Sequence, residues 1–509
     1  MSEPVLRLRD GDHVGVARRA LAAGDQVAVD GTTLTVRDDV PGGHKVALRD
    51  ITVGEHVRKY GEVIGAATQA VSAGAHVHVH NLAMVDLDHS GGRVDGVPRA
   101  EPLPVEEQAT FQGIVRADGR VATRNYVGVL TTVNCSATTA RRIADQVTWS
   151  GLLDDYPHVD GVVALTHATG CGLAADGEGL EVLRRTIRGY AEHPNFGALV
   201  VVGLGCEVNE IDALTRGIEL PGSVPVLPLT IQDLGGTRRT AERGVGLVRD
   251  VLPDLDRARR EPVPASRLVL GLNCGGSDGW SGVTANPALG LAADTLVRHG
   301  GTAVLAETPE VYGAEHLLTR RAVDQAVADR LTERIQWWER HMAQTGGSMD
   351  NNPSPGNKAG GLTTILEKSL GAVAKGGSTP LAEVVEYAER VHGPGLVFMD
   401  TPGYDPVSVT GIVAGGANVV CFTTGRGSAF GAKPVPSVKL ATNTDVFTRM
   451  DEDMDVNCGT VLDGERSLEE VGAEVFETVL EVASGRLTKS EELGYGAEEF
   501  TPWQLGATM

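Results

Sequence analysis

Apolar residues in the first 87 positions come in short runs cut by turn residues. The runs are His13–Ala17, Gln26–Val29, Leu34–Val36, His44–Leu48 and Ala75–Asn81. Runs of this length between Gly, Asp and Pro clusters predict strands, and with no helical stretch among them they predict a small all-β module. Residues 88–110 are polar and Pro-containing and read as a linker. From residue 111 the pattern changes. Strand-length apolar runs (Tyr126–Val133, Val159–Thr166, Ala198–Leu204, Val224–Leu229) alternate with helix-periodic segments such as Ala137–Val147 and Glu178–Glu192. A second series comprises Arg267–Leu272, Gly301–Leu305, Gly395–Met399, Asn418–Phe422 and Ser437–Leu440, with helices predicted over Ala288–His299 and Val323–Gln344. Strands alternating with helices imply Rossmann-like parallel sheets. The fold class is therefore α/β behind an all-β module, divided as 1–87, a linker 88–110, and α/β regions 111–260 and 261–509.

Composition narrows the function. The chain has 509 residues, 41% hydrophobic, 65 of them glycine, and a formal net charge of −22. That charge argues against nucleic acid as a partner, because phosphates would be repelled. No apolar stretch approaches the ~20 residues of a membrane span, and Met1–Arg7 lacks the apolar core of a signal peptide. A cytoplasmic protein acting on a small molecule is expected, with homo-oligomerisation left open.

The chemistry gathers where strands end. Cys135, Cys171, Cys206 and Cys274 each follow a predicted strand and have glycine or small polar neighbours, as in Gly170-Cys171-Gly172 and Gly205-Cys206-Glu207. That edge of an open α/β sheet is where ligands bind, and thiolates there are good soft ligands for iron or zinc. The competing reading is that cysteine is simply a common small buried residue. Cys421 lies inside an apolar run and reads as core, while Cys458 is ambiguous. His76, His78 and His80 alternate along a predicted strand, so they would share one face and offer a different metal site. Arg116, Arg120 and Arg124, four residues apart, and Arg426 after a later strand suit a substrate carboxylate. Asn357 and Lys358 sit in a Gly-rich loop before the apolar segment Leu362–Ala374. That loop lacks the phosphate-binding pattern, and no dinucleotide fingerprint follows the first strand of either α/β region.

Taken together, these loops resemble the altronate/galactarate dehydratase family. The matching segments are Arg116–Asn125, Thr166–Gly172, Gly203–Glu207, Cys274–Gly290, Glu307–Leu318, Asn352–Lys375 and Thr423–Lys433. The N-terminal module resembles a SAF domain of β-clip type. Ala122 departs from the family's usual Gly. Met399–Ser408, His76–Asn81 and Glu499–Trp503 resemble the altronate branch most. Sulfolactate sulfo-lyases share related sequences but divide them between two subunits, so a continuous chain favours a sugar-acid dehydratase. The resemblance implies an iron(II)-requiring conversion of D-altronate to 2-dehydro-3-deoxy-D-gluconate and water, with galactarate as the alternative substrate.

Such a dehydration needs charge stabilisation at the substrate carboxylate, a base for the C2 proton, and help for the departing C3 hydroxyl. The expected iron site is Cys135, Cys171, Cys206 and Cys274 with His167 nearby, either as a lone Fe²⁺ or as a [4Fe–4S] cluster; His76, His78 and His80 are the alternative. Glu207, Asp278, Glu307, His316 and Lys358 are the expected acid/base residues. Arg116, Arg120, Arg124, Asn357 and Arg426 are expected to hold substrate. Two readings from other classes compete: a non-catalytic sugar-acid-binding regulator, and, more weakly, a nicotinamide-linked dehydrogenase.

Overall fold

The computed structural model describes residues 3–86, 94–216, 218, 220 and 224–506. The N-terminal module is built of short antiparallel strands whose turns follow from local chemistry. Asp30 and Gly31 both take positive φ and close a two-residue hairpin between Gln26–Val29 and Thr32–Thr35. Tyr60 and Gly61 do the same between His56–Lys59 and Glu62–Ala67. Asp-Gly favours such turns because Asp tolerates, and Gly permits, the left-handed region. Val27 and Val29 point inward while Gln26 and Ala28 face solvent, the period-2 pattern of a half-buried strand.

The expected strand Ala75–Asn81 is shorter, covering His76–Val77 only. Beyond it Asn81 accepts from the His78 amide and donates to the His76 carbonyl, turning the chain. The predicted linker lies partly outside the described residues. Its remainder runs along the last domain, with hydrogen bonds from the Val97 amide to Ala322 and from the Leu103 amide to Arg298.

Two parallel sheets follow. The first has four strands in the order Gly161–Leu165, Tyr126–Thr131, Phe196–Gly203, Val226–Thr230. The second has seven, ordered Leu381–Val385, Gly395–Met399, Thr302–Leu305, Val269–Cys274, Val419–Thr424, Ser437–Ala441, Val456–Asn457. Near-continuous Val/Leu/Ala runs suit strands covered on both faces. In each sheet the first strand in sequence lies inside the sheet, and the chain later builds outward on both of its sides. That reversal opens a crevice beyond the carboxyl ends of the strands. Between the two sheets Thr110–Val115 pairs antiparallel with Arg260–Pro264, so the charged, Pro-interrupted segment near 260 is itself a strand.

Candidate active site

At the crevice of the seven-stranded sheet, Val269–Cys274 delivers Cys274 into a fully buried polar cluster. Lys375 Nζ lies 2.8 Å from Cys274 Sγ and 2.9 Å from Glu307 Oε2. The thiol in turn donates toward Glu310 Oε2 at 3.4 Å. Glu310 also accepts from Lys368 at 2.6 Å and from Asn352 at 2.8 Å. Burial, then the Glu307 carboxylate, pushes the Cys274 pKa up, so the sulfur stays protonated near neutrality. Burial and Glu310 raise Glu307, while Lys368 and Lys375 overcome burial and hold Glu310 low. Asp405 borders the same cluster and is pushed up to about 8 by burial, Glu307 and Glu310. Three carboxyls thus face two ammoniums.

Glu307 takes φ +70°, a backbone conformation costly for a non-glycine residue, and its buried Oε1 has no hydrogen-bond partner among the described residues. Gly275 is required here. A Cβ there would stand 2.2 Å from Asp405 Oδ2.

The all-β module docks against this edge. Lys45 and Lys59 both reach Glu367, each at 2.8 Å and all three buried. Burial opposes the carboxylate, but the two lysines hold Glu367 far below the usual range. This contact sets His44 against the loop at Ala359, whose carbonyl lies 3.2 Å from His44 Nε2. His44 Nδ1 and His76 Nε2 are 3.0 Å apart, and the His78 ring lies 4.8 Å from that of His44. Burial, helped by the neighbouring imidazoles and Lys45, pushes His76 down to about 4 and His78 down to about 3. All three rings are therefore neutral at pH 7, the state in which imidazole binds a metal. His78 Nδ1 is buried without a partner among the described residues.

Among the described residues, two groups bring three ligand atoms within 4.8 Å of one another: His44, His76, His78 and Cys274, Glu307, Glu310. The first is the better seat for a divalent ion, because lysines already occupy the second. The alternative metal set is thus changed in membership. His80 is exposed, with its ring 5.4 Å from that of His76, and His44 takes its place.

The expected four-thiol set is divided. Cys135, Cys171 and Cys206 sit exposed at the end of the four-stranded sheet, while Cys274 is buried in the other. His167 cannot readily join them. Its Nε2 faces the Thr131 carbonyl at 3.0 Å and its Nδ1 accepts from the Thr169 amide. Glu207 accepts from Thr132 Oγ1 and from the Leu204, Gly205 and Cys206 amides. Burial alone would raise its pKa, but these donors lower it, so it is a weak base that shapes a turn.

Asp278 stays with the site. It is buried, its pKa raised by burial, and it accepts from Ser281, Thr442 and Asn443. Asn357 ties the short helix Pro355–Ala359 to the Ser277 carbonyl at 2.8 Å. Gly360 and Gly425 both pack on the Asp278 side chain, and Lys358 and the exposed Arg426 lie in the same two segments. Neither cation makes a side-chain hydrogen bond or ion pair among the described residues. His316 lies apart and exposed, 3.5 Å from Glu62.

The three spaced arginines do other work. Arg124 is buried and uses all five N–H donors, on Glu491 twice and on the Thr123, Val482 and Arg486 carbonyls. Arg116 binds the Pro194 carbonyl and Asn125, and Arg120 binds Asp118 and the Glu192 carbonyl. They fasten loops and the C-terminal segment rather than a ligand.

Sequence reasoning did not single out His44, Glu310, Lys368, Lys375 or Asp405. Glu310, Lys368, Lys375 and Asp405 all lie within segments already marked as informative. The spacing of Glu307 and Glu310, with Lys368 and Lys375 in one later segment, was the available signal.

Three family models cover the chain: the altronate/galactarate dehydratase SAF domain over residues 3–85, the D-galactarate dehydratase/altronate hydrolase second domain over 113–256, and the D-galactarate/altronate dehydratase C-terminal domain over 265–508. A galactarate dehydratase (L-threo-forming) of Escherichia coli strain K12 is 40% identical over 94% of this chain and 93% of its own. Altronate dehydratases of E. coli K12 and Bacillus subtilis strain 168 are 36% and 34% identical, covering 98% and 99% of both chains.

Proposed function

The chain belongs to the altronate/galactarate dehydratase family, and from that premise we propose that it is a hydro-lyase converting D-altronate to 2-dehydro-3-deoxy-D-gluconate with release of water. One observation carries this reading beyond the kinship. The N-terminal module that carries the imidazoles docks through Lys45 and Lys59 on Glu367, the residue next to Lys368 of the buried carboxyl–lysine cluster, and that docking supports one shared site.

The histidine trio fits a divalent ion: three neutral rings converge, and one buried nitrogen lacks a partner among the described residues. Iron(II) held there would supply Lewis-acid stabilisation of the substrate carboxylate as charge builds at C2. Lys358 and Arg426, cations without a protein partner among the described residues, are the candidates to attract and orient the same carboxylate. The Glu307–Lys375 pair, with its strained backbone and unmet acceptor, is suited to hold the proton taken from C2. Asp405, still protonated near neutrality, is suited to give one to the departing C3 hydroxyl. Asp278 fixes the loops between which the substrate would lie.

Galactarate is the second reading, favoured by the 40% identity to a galactarate dehydratase. The deciding experiment incubates anaerobically prepared, Fe²⁺-supplied protein with each acid and follows 2-keto product. Keto acid from altronate at the higher kcat/KM supports the first reading, and the reverse order installs the second. Release from neither acid, with the acid still bound, would return the chain to the class of sugar-acid-binding proteins.

A further inference from the structure

The four-stranded sheet has its own crevice, which the dehydration site does not use. Its three adjacent strands Gly161–Leu165, Tyr126–Thr131 and Phe196–Gly203 each run into a loop that carries one cysteine: Cys171, Cys135 and Cys206. The reversal in strand order falls among these strands, where an open parallel sheet receives a ligand.

The loops are built as one unit. The Asn134 amide donates to the Thr169 carbonyl at 2.9 Å, and the Asn209 amide donates to the Gly170 carbonyl at 3.1 Å. Asn209 Nδ2 reaches the Thr132 carbonyl and Asn134 Nδ2 the His167 carbonyl. Thr132 is bonded to Glu207, whose carboxylate gathers the amides around Cys206. Gly170 has φ +101°, and a Cβ there would stand 2.2 Å from the Thr132 carbonyl oxygen, so the close approach demands glycine.

On this scaffold all three thiols are solvent-exposed, whereas Cys274, Cys421 and Cys458 are buried. Three free thiols at one edge are an oxidation liability that packing does not explain. Three thiols on adjacent, hydrogen-bonded loops suit a multinuclear centre better than a single ion. With bonds of about 2.3 Å, thiolates on one metal ion lie within about 4 Å of one another. The three cysteines do not form such a group among the described residues. A cubane cluster holds its thiolates farther apart.

We propose that Cys135, Cys171 and Cys206 bind a [4Fe–4S] cluster through three irons, leaving the fourth open to an oxygen donor such as the carboxylate or hydroxyl of a small acid. Each thiol loses its proton on binding, and no electron transfer is required. His167 and Cys274 are not ligands: one has both ring nitrogens engaged, and the other lies in the buried lysine cluster.

The test uses the full chain purified anaerobically and reconstituted with ferrous iron and sulfide. Expected are about four irons and four acid-labile sulfides per chain, a broad sulfide-to-iron charge-transfer absorption, and an electron paramagnetic resonance signal after dithionite reduction. Cys135→Ser, Cys171→Ser and Cys206→Ser should each lose most of the sulfide while keeping the parent's circular dichroism and melting temperature. Cys274→Ala and Cys421→Ala should retain it. Iron without sulfide, or sulfide that survives the triple Cys→Ser variant, overturns the proposal. The sulfide readout is independent of turnover. Keto-acid formation without sulfide sinks the cluster alone, whereas sulfide without keto acid sinks the dehydratase reading alone.

Discussion

Lys375 places its ammonium 2.8 Å from the sulfur of Cys274, with neither side chain exposed. A lysine so close to a protonated thiol bridges it to Glu307 and, through the sulfur, to Glu310. The contact makes Cys274 a member of a proton-bearing chain, where a cysteine at a strand end had suggested a metal ligand.

Lys375→Met therefore removes the charge that balances Glu307 and should lower kcat by at least ~100-fold, the range of a lost general acid/base. Cys274→Ser keeps a hydroxyl in the relay and should retain most of the activity. Steady-state kinetics on both variants check the pair. Equal losses would return Cys274 to a ligand role.

Asp405 carries a pH signature. Its folded-state pKa of about 8 lies above that of an unfolded aspartate, so between about pH 4 and 8 the native state binds more protons than the unfolded one. Its stabilising contribution is complete below the unfolded pKa and is lost as the pH rises through 8. Asp405→Asn should flatten that loss. Thermal melts at pH 6 and pH 9 should show a smaller drop in the variant than in the parent.

Glu367 is the single anion between Lys45 and Lys59, and the docking of the module rests on it. Glu367→Gln leaves two buried ammoniums unpaired and should cost about 3–5 kcal/mol. Urea denaturation followed by tryptophan fluorescence should show a lower midpoint. Proteolysis should then release the module first, since Trp280 packs against Gly43 at the junction.

His44 was not expected in the proposed metal site, so His44→Ala is the informative variant there. Iron affinity should fall by at least ~10-fold, while His80→Ala should leave it nearly unchanged. Equilibrium dialysis against Fe²⁺ under argon measures both.

Arg124→Ala separates scaffold from site. Loss of a buried, fully bonded guanidinium should cost about 3–5 kcal/mol through the stranded Glu491. KM for the sugar acid in the folded fraction should not move. A tenfold rise in KM at unchanged stability would restore the carboxylate-binding role.

Much of the architecture was legible because buried parallel strands read as unbroken apolar runs. Gly395–Met399 was located to the residue, and Tyr126–Thr131 within two. The Thr237–Leu255 helix escaped notice, its apolar residues interrupted by three glycine or proline positions. The site was legible only in part. Strand-end glycines and cysteines marked both crevices, and Asp278 and Glu307 were found there. His44 and His76 are 32 positions apart, and Lys375 meets Cys274 across 101. Periodicity carries no information at those separations. Arg124 shows the converse error: a regular spacing of cations suggested a ligand, while its partner, Glu491, lies 367 positions later.

The distance in sequence between Lys45 and Glu367 also has a meaning in time. During synthesis Glu367 leaves the ribosome 322 residues after Lys45, a delay of roughly 16–64 s at about 5–20 residues per second. The nascent N-terminal module meanwhile carries its two lysines hydrated and its imidazoles without a facing wall. A product terminated before Glu307 would hold the three histidines proposed to bind metal and none of the carboxylates proposed to move protons.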